Sequence, residues 1–176
     1  EEVAGAWSRP VGRQLIRVVG SRVSAVRSQG KHLLIDFDHG LTLHTHLGMR
    51  GSWHRYRPGE RWRRPRGSAV AVLETGRTVA VCFQAPVVEL LDTRALVLHP
   101  SLAALGPDLL AEPPDLEAAV ARLRAAERGE VSVAEALLDQ RAVAGIGNVY
   151  RSEVLFAERV DPLSLVGSLS HEVLER

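Results

Sequence analysis

Up to about residue 100 the apolar positions come in short bursts, many of them alternating with a period of two. RVSAVRS (22–28), KHLLIDF (31–37), LTLHTHL (41–47), SAVAVLE (68–74), TVAVCF (78–83) and VVELL (87–91) are rich in β-branched residues and parted by polar or glycine breaks. That pattern predicts strands. RQLIRVV (13–19) reads the same way and makes a seventh. Asp38–Gly40 and Glu74–Arg77 carry turn residues between runs and predict hairpins. Seven short strands without intervening helices favour an antiparallel sandwich or barrel.

From residue 101 the period becomes helical. DLEAAVARLRAAERG (115–129) and SVAEALLDQRAVAG (132–145) repeat apolar residues at helical spacing. Asp115 and Ser132 stand where N-caps belong, and Gly129 and Gly145 where helices end. SEVLFAERVDP (152–162) predicts a third helix, ending at Val160–Pro162. HPSLAALGPDLLAEPPD (99–115), with four prolines, reads as a linker. The expected architecture is α+β: a β-rich sandwich or barrel domain over residues 1–98, a linker over 99–114 and a helical domain over 115–176.

Composition narrows the classes. Apolar residues make up 45% and charged residues 24% of 176, ordinary globular values. No apolar run approaches the length of a membrane span, and no secretory leader opens the chain. A single cysteine, Cys82, excludes an internal disulfide and a cysteine-based zinc cluster within these residues. A reducing, cytoplasmic setting is expected. The net charge of +1 conceals an asymmetry: residues 1–100 hold 15 Lys+Arg against 8 Asp+Glu, and residues 101–176 hold 7 against 13. The first part suits a polyanionic partner. Arg50–Arg66 alone carries seven arginines with Trp53, Tyr56 and Trp62 between them. That stretch fits a phosphate backbone and a flanking base; a charged, disordered hairpin tip is the other reading.

Lys31 is the only lysine among 22 Lys+Arg, and a compact ammonium is not interchangeable with a guanidinium fork. Gly30-Lys31-His32 opens one predicted strand and His46-Leu47-Gly48-Met49 closes the next. Further on, ALLDQRAVAGIGNVYRSEVLF (136–156) places Gly145-Ile146-Gly147 between two helices, with Asn148 opening the second. Exposed backbone amides beside a helix N-terminus form an anion site; a plain αα-hairpin turned by its glycines fits the same residues. Taken together and in this order, with LGPDLL (105–110) between them, the two segments resemble the formamidopyrimidine-DNA glycosylase / endonuclease VIII family. The resemblance runs from about residue 12 to 166, and its second segment is similar to that family's helix–two-turn–helix DNA-binding element.

The resemblance implies a bifunctional DNA glycosylase and abasic-site lyase of base-excision repair, monomeric, acting on double-stranded damaged DNA without a membrane. It assigns Lys31, His46 and Asn148 to a phosphate clamp around the damaged nucleotide, joined by Gly145, Gly147 and Arg151. A short contact at a crowded, bent backbone would favour the Lys31 ammonium, which is also a catalytic candidate. Glu153 matches a glutamate facing the reaction centre, where a carboxylate orients water or accepts a proton; a solvated helix-surface glutamate is its plain reading. Met49, with Arg50, falls where the family carries the apolar wedge that fills the gap left by a flipped base. A second loop that supplies an arginine and a phenylalanine in one branch corresponds to CFQAPVVELL here, and neither residue is in place. This leans toward the endonuclease VIII branch and oxidised pyrimidines.

Two family parts have no counterpart in the sequence. The chemistry begins at an N-terminal Pro-Glu whose secondary amine forms a Schiff base, whereas this chain opens EEVAGAW. No zinc finger, or zincless equivalent, follows Arg176. No cofactor or metal ligand set is expected within the chain, any zinc belonging to such a finger. A partial record of a longer enzyme is the expectation, with a non-catalytic damaged- or abasic-DNA-binding paralogue as the alternative.

Overall fold

Eight strands fill residues 3–92 of the computed structural model, which describes residues 1–125 and 128–176. They are β1 (Val3–Ser8), β2 (Val23–Gln29), β3 (His32–Phe37), β4 (Leu41–His46), β5 (Ser52–Tyr56), β6 (Ala69–Thr75), β7 (Val79–Phe83) and β8 (Val87–Asp92). Two four-stranded antiparallel sheets result, ordered β1-β6-β7-β5 and β2-β3-β4-β8. Val3, Leu73 and Cys82 of the first sheet and Ile35, Leu43 and Val88 of the second share one buried core, which makes the pair a sandwich. Burial pushes the Cys82 thiol up to about 12, so it acts as a core hydrophobe.

The strand pattern needs three corrections. RQLIRVV is not a strand: Gly12–Val18 is a 3-10 helix. A strand would turn Arg13 and Arg17 inward along with Leu15, whereas a three-residue period buries Leu15 and Val18 and leaves both arginines outside. β1, in weak strand-forming VAGAWS, is held by its ladder to β6 and by Val3, whose backbone exchanges hydrogen bonds with Ser21 and Gly20. β5 lies in the arginine-rich stretch, pairing with β7 through Trp53–Cys82 and Tyr56–Val79.

Residues 1–99 and 100–176 are two separate compact units. α1 (Thr93–Val97) closes the first, its N-cap Asp92 accepting from the Ala95 amide. The second contains α2 (Pro100–Ala103), α3 (Leu116–Leu123), α4 (Val133–Ala136), α5 (Asn148–Ala157) and α6 (His171–Glu175). Leu123, Val133, Val143, Leu155 and Val166 lie in its core. Asp115 and Ser132 cap α3 and α4 through the Ala118 and Glu135 amides. Of the helix expected over 115–129, Ala126 and Glu127 lie outside the described residues.

The helix expected over 132–145 stops after one turn. Asp139 draws in the Arg141 backbone and side chain and the Arg128 guanidinium, and Gln140 bonds the Gly145 amide and the Leu138 and Ile146 carbonyls. Side chains that bond nearby backbone compete with the helix ladder. LGPDLL runs alongside: Gly106 donates to the Gln140 carbonyl and Ala144 to that of Pro107. A Cβ on Gly106 would lie 2.4 Å from the Ala142 carbonyl oxygen, so only glycine fits. Among the described residues no helix is long and apolar enough to cross a membrane.

Candidate nucleic-acid interface

At one end of the second sheet the register sets Gln29, His32, His46 and Val87 side by side. The β2–β3 connection is only Gly30–Lys31, with Gly30 at φ +55° and Lys31 at ordinary φ, the φ signature of a type II′ hairpin. Lys31 therefore occupies a hairpin tip rather than the first position of a strand; β3 begins at His32. It is exposed, though partial desolvation lowers its pKa. His46 ends β4, its ring centroid 4.9 Å from that of His32.

The chain leaves His46 through a close turn. The Gly51 amide donates to the Leu47 carbonyl at 2.8 Å. Gly48 sits at φ +57°, and a Cβ on Gly51 would come 2.2 Å from the Leu47 oxygen, so both positions demand glycine. Met49 is thrown outward and is 96% exposed; it is not a core residue. Arg50 is exposed, and its carbonyl accepts from Arg64 Nη1 at 3.3 Å, the same nitrogen reaching Gln84 Oε1 at 3.1 Å. The arginine-rich segment is thereby tied down. Trp62 packs against Tyr56 and Phe83, Arg66 lies 4.7 Å over the Trp62 ring, and Tyr56 Oη accepts from the Arg63 amide.

In the second unit Gly145 adopts φ +100°, but its amide is not open as the sequence suggested: it donates to Gln140 Oε1 at 3.0 Å. Gly147 is the N-cap of α5 in extended geometry, with no side-chain cap. The amides of Asn148, Val149 and Tyr150 in the first turn of α5 have no intrahelical carbonyl, the first such bond running from the Arg151 amide to Gly147. Asn148 and Glu153 are exposed, and neither side chain has a hydrogen bond or ion pair among the described residues. Arg151 is half-buried one turn into α5. Tyr150 is 70% exposed.

Sequence reasoning missed a polar cluster behind His46. His44, fully buried, receives His32 Nδ1 on its Nε2 at 2.8 Å and faces Glu89 Oε2 with its Nδ1 at 2.9 Å. His99 Nε2 reaches the same oxygen at 3.0 Å. Desolvation, then neighbouring imidazoles, pushes His32 down to about 4; desolvation also lowers His44 against the pull of Glu89. Hydrogen bonds from His44 and His99 hold Glu89 below its ordinary value despite its burial. His44, Glu89 and His99 each offer a donor atom within 4.8 Å of the others, a set that could hold a metal ion. The His-Thr-His alternation was the available signal, since it puts His44 and His46 on one face of β4. The pairing of Glu89 with His44 requires the β4–β8 register.

Residues 6–97 match the formamidopyrimidine-DNA glycosylase N-terminal domain, and residues 105–176 match the formamidopyrimidine-DNA glycosylase H2TH domain. The chain belongs to the formamidopyrimidine-DNA glycosylase / endonuclease VIII family. Relatives within it include a probable endonuclease 8 2 of Streptomyces coelicolor, 42% identical over 88% of this chain and 55% of its own. Another is the DNA-(apurinic or apyrimidinic site) lyase Nei2 of Mycolicibacterium smegmatis, 40% identical over 85% and 56%. The formamidopyrimidine-DNA glycosylase of Aromatoleum aromaticum is 37% identical over 96% and 60%. The chain thus spans somewhat more than half the length of these family members. Its fold matches that of Lactococcus lactis Fpg solved with Fapy-dG-containing DNA, with a TM-score of 0.82 at 18% identity over 99% of this chain and 67% of that one. The same enzyme bound to abasic-site DNA matches equally well, at 0.82. The α+β architecture expected from the sequence is the family's fold.

Proposed function

We propose that this chain forms the DNA-gripping part of a bifunctional DNA glycosylase and abasic-site lyase that excises oxidised bases, preferentially pyrimidines, and nicks the abasic site by elimination through a Schiff base. The observation that carries the reading is the end of the second sheet. A lone ammonium on a hairpin tip, a histidine closing β4 and a fully exposed methionine on a glycine-locked turn share one stretch of surface. Lys31 and His46 contact phosphates beside the lesion, and Met49, flanked by Arg50, enters the gap left by the flipped base. In the second unit, the Asn148 side chain and the first amides of α5 form an anion site by charge and geometry. Arg151 adds charge nearby, and Glu153 stands free to orient water or take a proton. Gly145 and Gly147 shape this loop and do not themselves bind through the Gly145 amide. The preference for pyrimidines is supported by relatives named endonuclease 8 and by CFQAPVVELL, in which neither the arginine nor the phenylalanine of the other branch is in place.

The test is borohydride trapping and nicking on abasic-site duplex by the complete enzyme, wild type and Lys31→Arg. The variant should fold normally and nick far more slowly. Unchanged turnover would remove Lys31 from the site, and intact binding without any trapped adduct in the wild type would leave a non-catalytic binder.

A further inference from the structure

We propose that His44, Glu89 and His99 form a zinc-binding site in the β-rich unit, separate from any zinc finger and from the DNA-contacting residues. Two imidazole nitrogens, His44 Nδ1 and His99 Nε2, aim at one carboxylate oxygen from distances of 2.9 and 3.0 Å. Histidine nitrogen and carboxylate oxygen are the donors zinc takes besides thiolate, at about 2.0–2.2 Å, so tetrahedral ligands stand roughly 3.4 Å apart. The observed separations, from 2.9 Å up to no more than 4.8 Å, bracket that value. A shift of a few tenths of an ångström in Glu89, whose side chain is 42% exposed, opens the centre.

The surroundings of His44 are those of a metal ligand. His44 is locked between two strands and has its second nitrogen bonded to His32 Nδ1 at 2.8 Å, the outer partner that fixes a ligating imidazole. Without metal, one tautomer set satisfies every contact: His32 donates to His44, and His44 and His99 both donate to Glu89. Zinc on His44 Nδ1 moves that ring's proton to Nε2, which then donates to His32 Nδ1, whose own proton shifts to Nε2. On His99 the proton passes from Nε2 to Nδ1, a buried nitrogen with no hydrogen-bond partner, a cost that the zinc–nitrogen bond must exceed. Both histidines stay neutral, as ligation requires. Three protein ligands leave the fourth position for water.

Calorimetric titration of the metal-free chain with zinc chloride should show one ion bound per chain and a rise in Tm, and Co2+ should give a tetrahedral visible absorption band. Glu89→Gln and His99→Asn should each weaken affinity at least about tenfold and abolish the band, His32→Gln should weaken it less, and His39→Asn should change nothing. Circular dichroism checks folding; should Glu89→Gln not fold, His99→Asn decides, because His99 lies beyond the last strand and helix of its unit. Absence of stoichiometric binding overturns the proposal. So does binding of equal affinity in the wild type and in the Glu89 and His99 variants, which would mark adventitious capture by exposed histidines such as His39 and His171.

Discussion

Replacing Met49 by alanine separates folding from binding more cleanly than any other change in this chain. The side chain is 96% exposed, so the free protein loses no packing and its stability should stay within about 0.5 kcal/mol of wild type. In the wedge role proposed above, the same side chain becomes buried between bases on damaged DNA. Full burial of a methionine is worth about 1.5–3 kcal/mol, which corresponds to roughly a 10- to 150-fold loss of affinity on truncation. Leucine has nearly the same volume and should keep most of it. Fluorescence anisotropy with a duplex carrying an abasic-site analogue, against the same duplex undamaged, measures the effect. The loss should be confined to the damaged duplex, because only there is a gap to fill. Equal affinities of wild type and Met49→Ala for the damaged duplex would refute the wedge; so would a Tm drop that accounts for the binding loss.

Other substitutions test the parts around it. Gly51→Ala sets a Cβ against the Leu47 carbonyl and should destabilise the first unit by about 1–3 kcal/mol in urea denaturation. Asn148→Ala should weaken binding to every DNA sequence alike, about tenfold for one lost charge-assisted hydrogen bond, while Tm holds because Gly147 is the cap; base-selective loss in a binding panel would contradict the phosphate role. Asp139→Asn should destabilise the second unit by about 1–3 kcal/mol at pH 7. Hydrogen bonds from Arg141 and then Arg128 hold the Asp139 carboxyl well below the usual range. A depressed folded pKa contributes stability above the unfolded value of about 3.9 and loses it as pH falls toward the folded one. The gap between wild type and variant should therefore shrink below about pH 4, and a gap independent of pH would dismiss the ion cluster.

Strands β2, β3, β4, β6, β7 and β8 were legible because their alternation and their turns agree: Gly40 adopts φ +83° after Asp38, and Thr75 closes on Thr78 where Glu74–Arg77 predicted a hairpin. Non-local pairing hid the rest. VAGAWS becomes a strand only beside β6, and SWHRY only beside β7. RQLIRVV has the composition of a strand, and only the burial of Leu15 with Val18 reveals a three-residue period. At the candidate interface Lys31, His46, Met49 and Asn148 could be named from their motifs, since each sits where a glycine already marks a turn. His44, Glu89 and His99 could not, because 45 and 10 positions of sequence separate residues that a strand register and a helix end bring together.

Because α5 owes its beginning to the backbone of Gly147 and not to the amide side chain beside it, purifying pressure on foldability gives Asn148 no shelter. A lineage that ceased to need its nucleic-acid partner would drift at position 148 while keeping glycine at 145, where the φ of +100° is architectural. With Asn148 in the phosphate role proposed above, the residue at 148 would tell between paralogues whether the machine is still in use, and the residue at 145 only that its frame still stands.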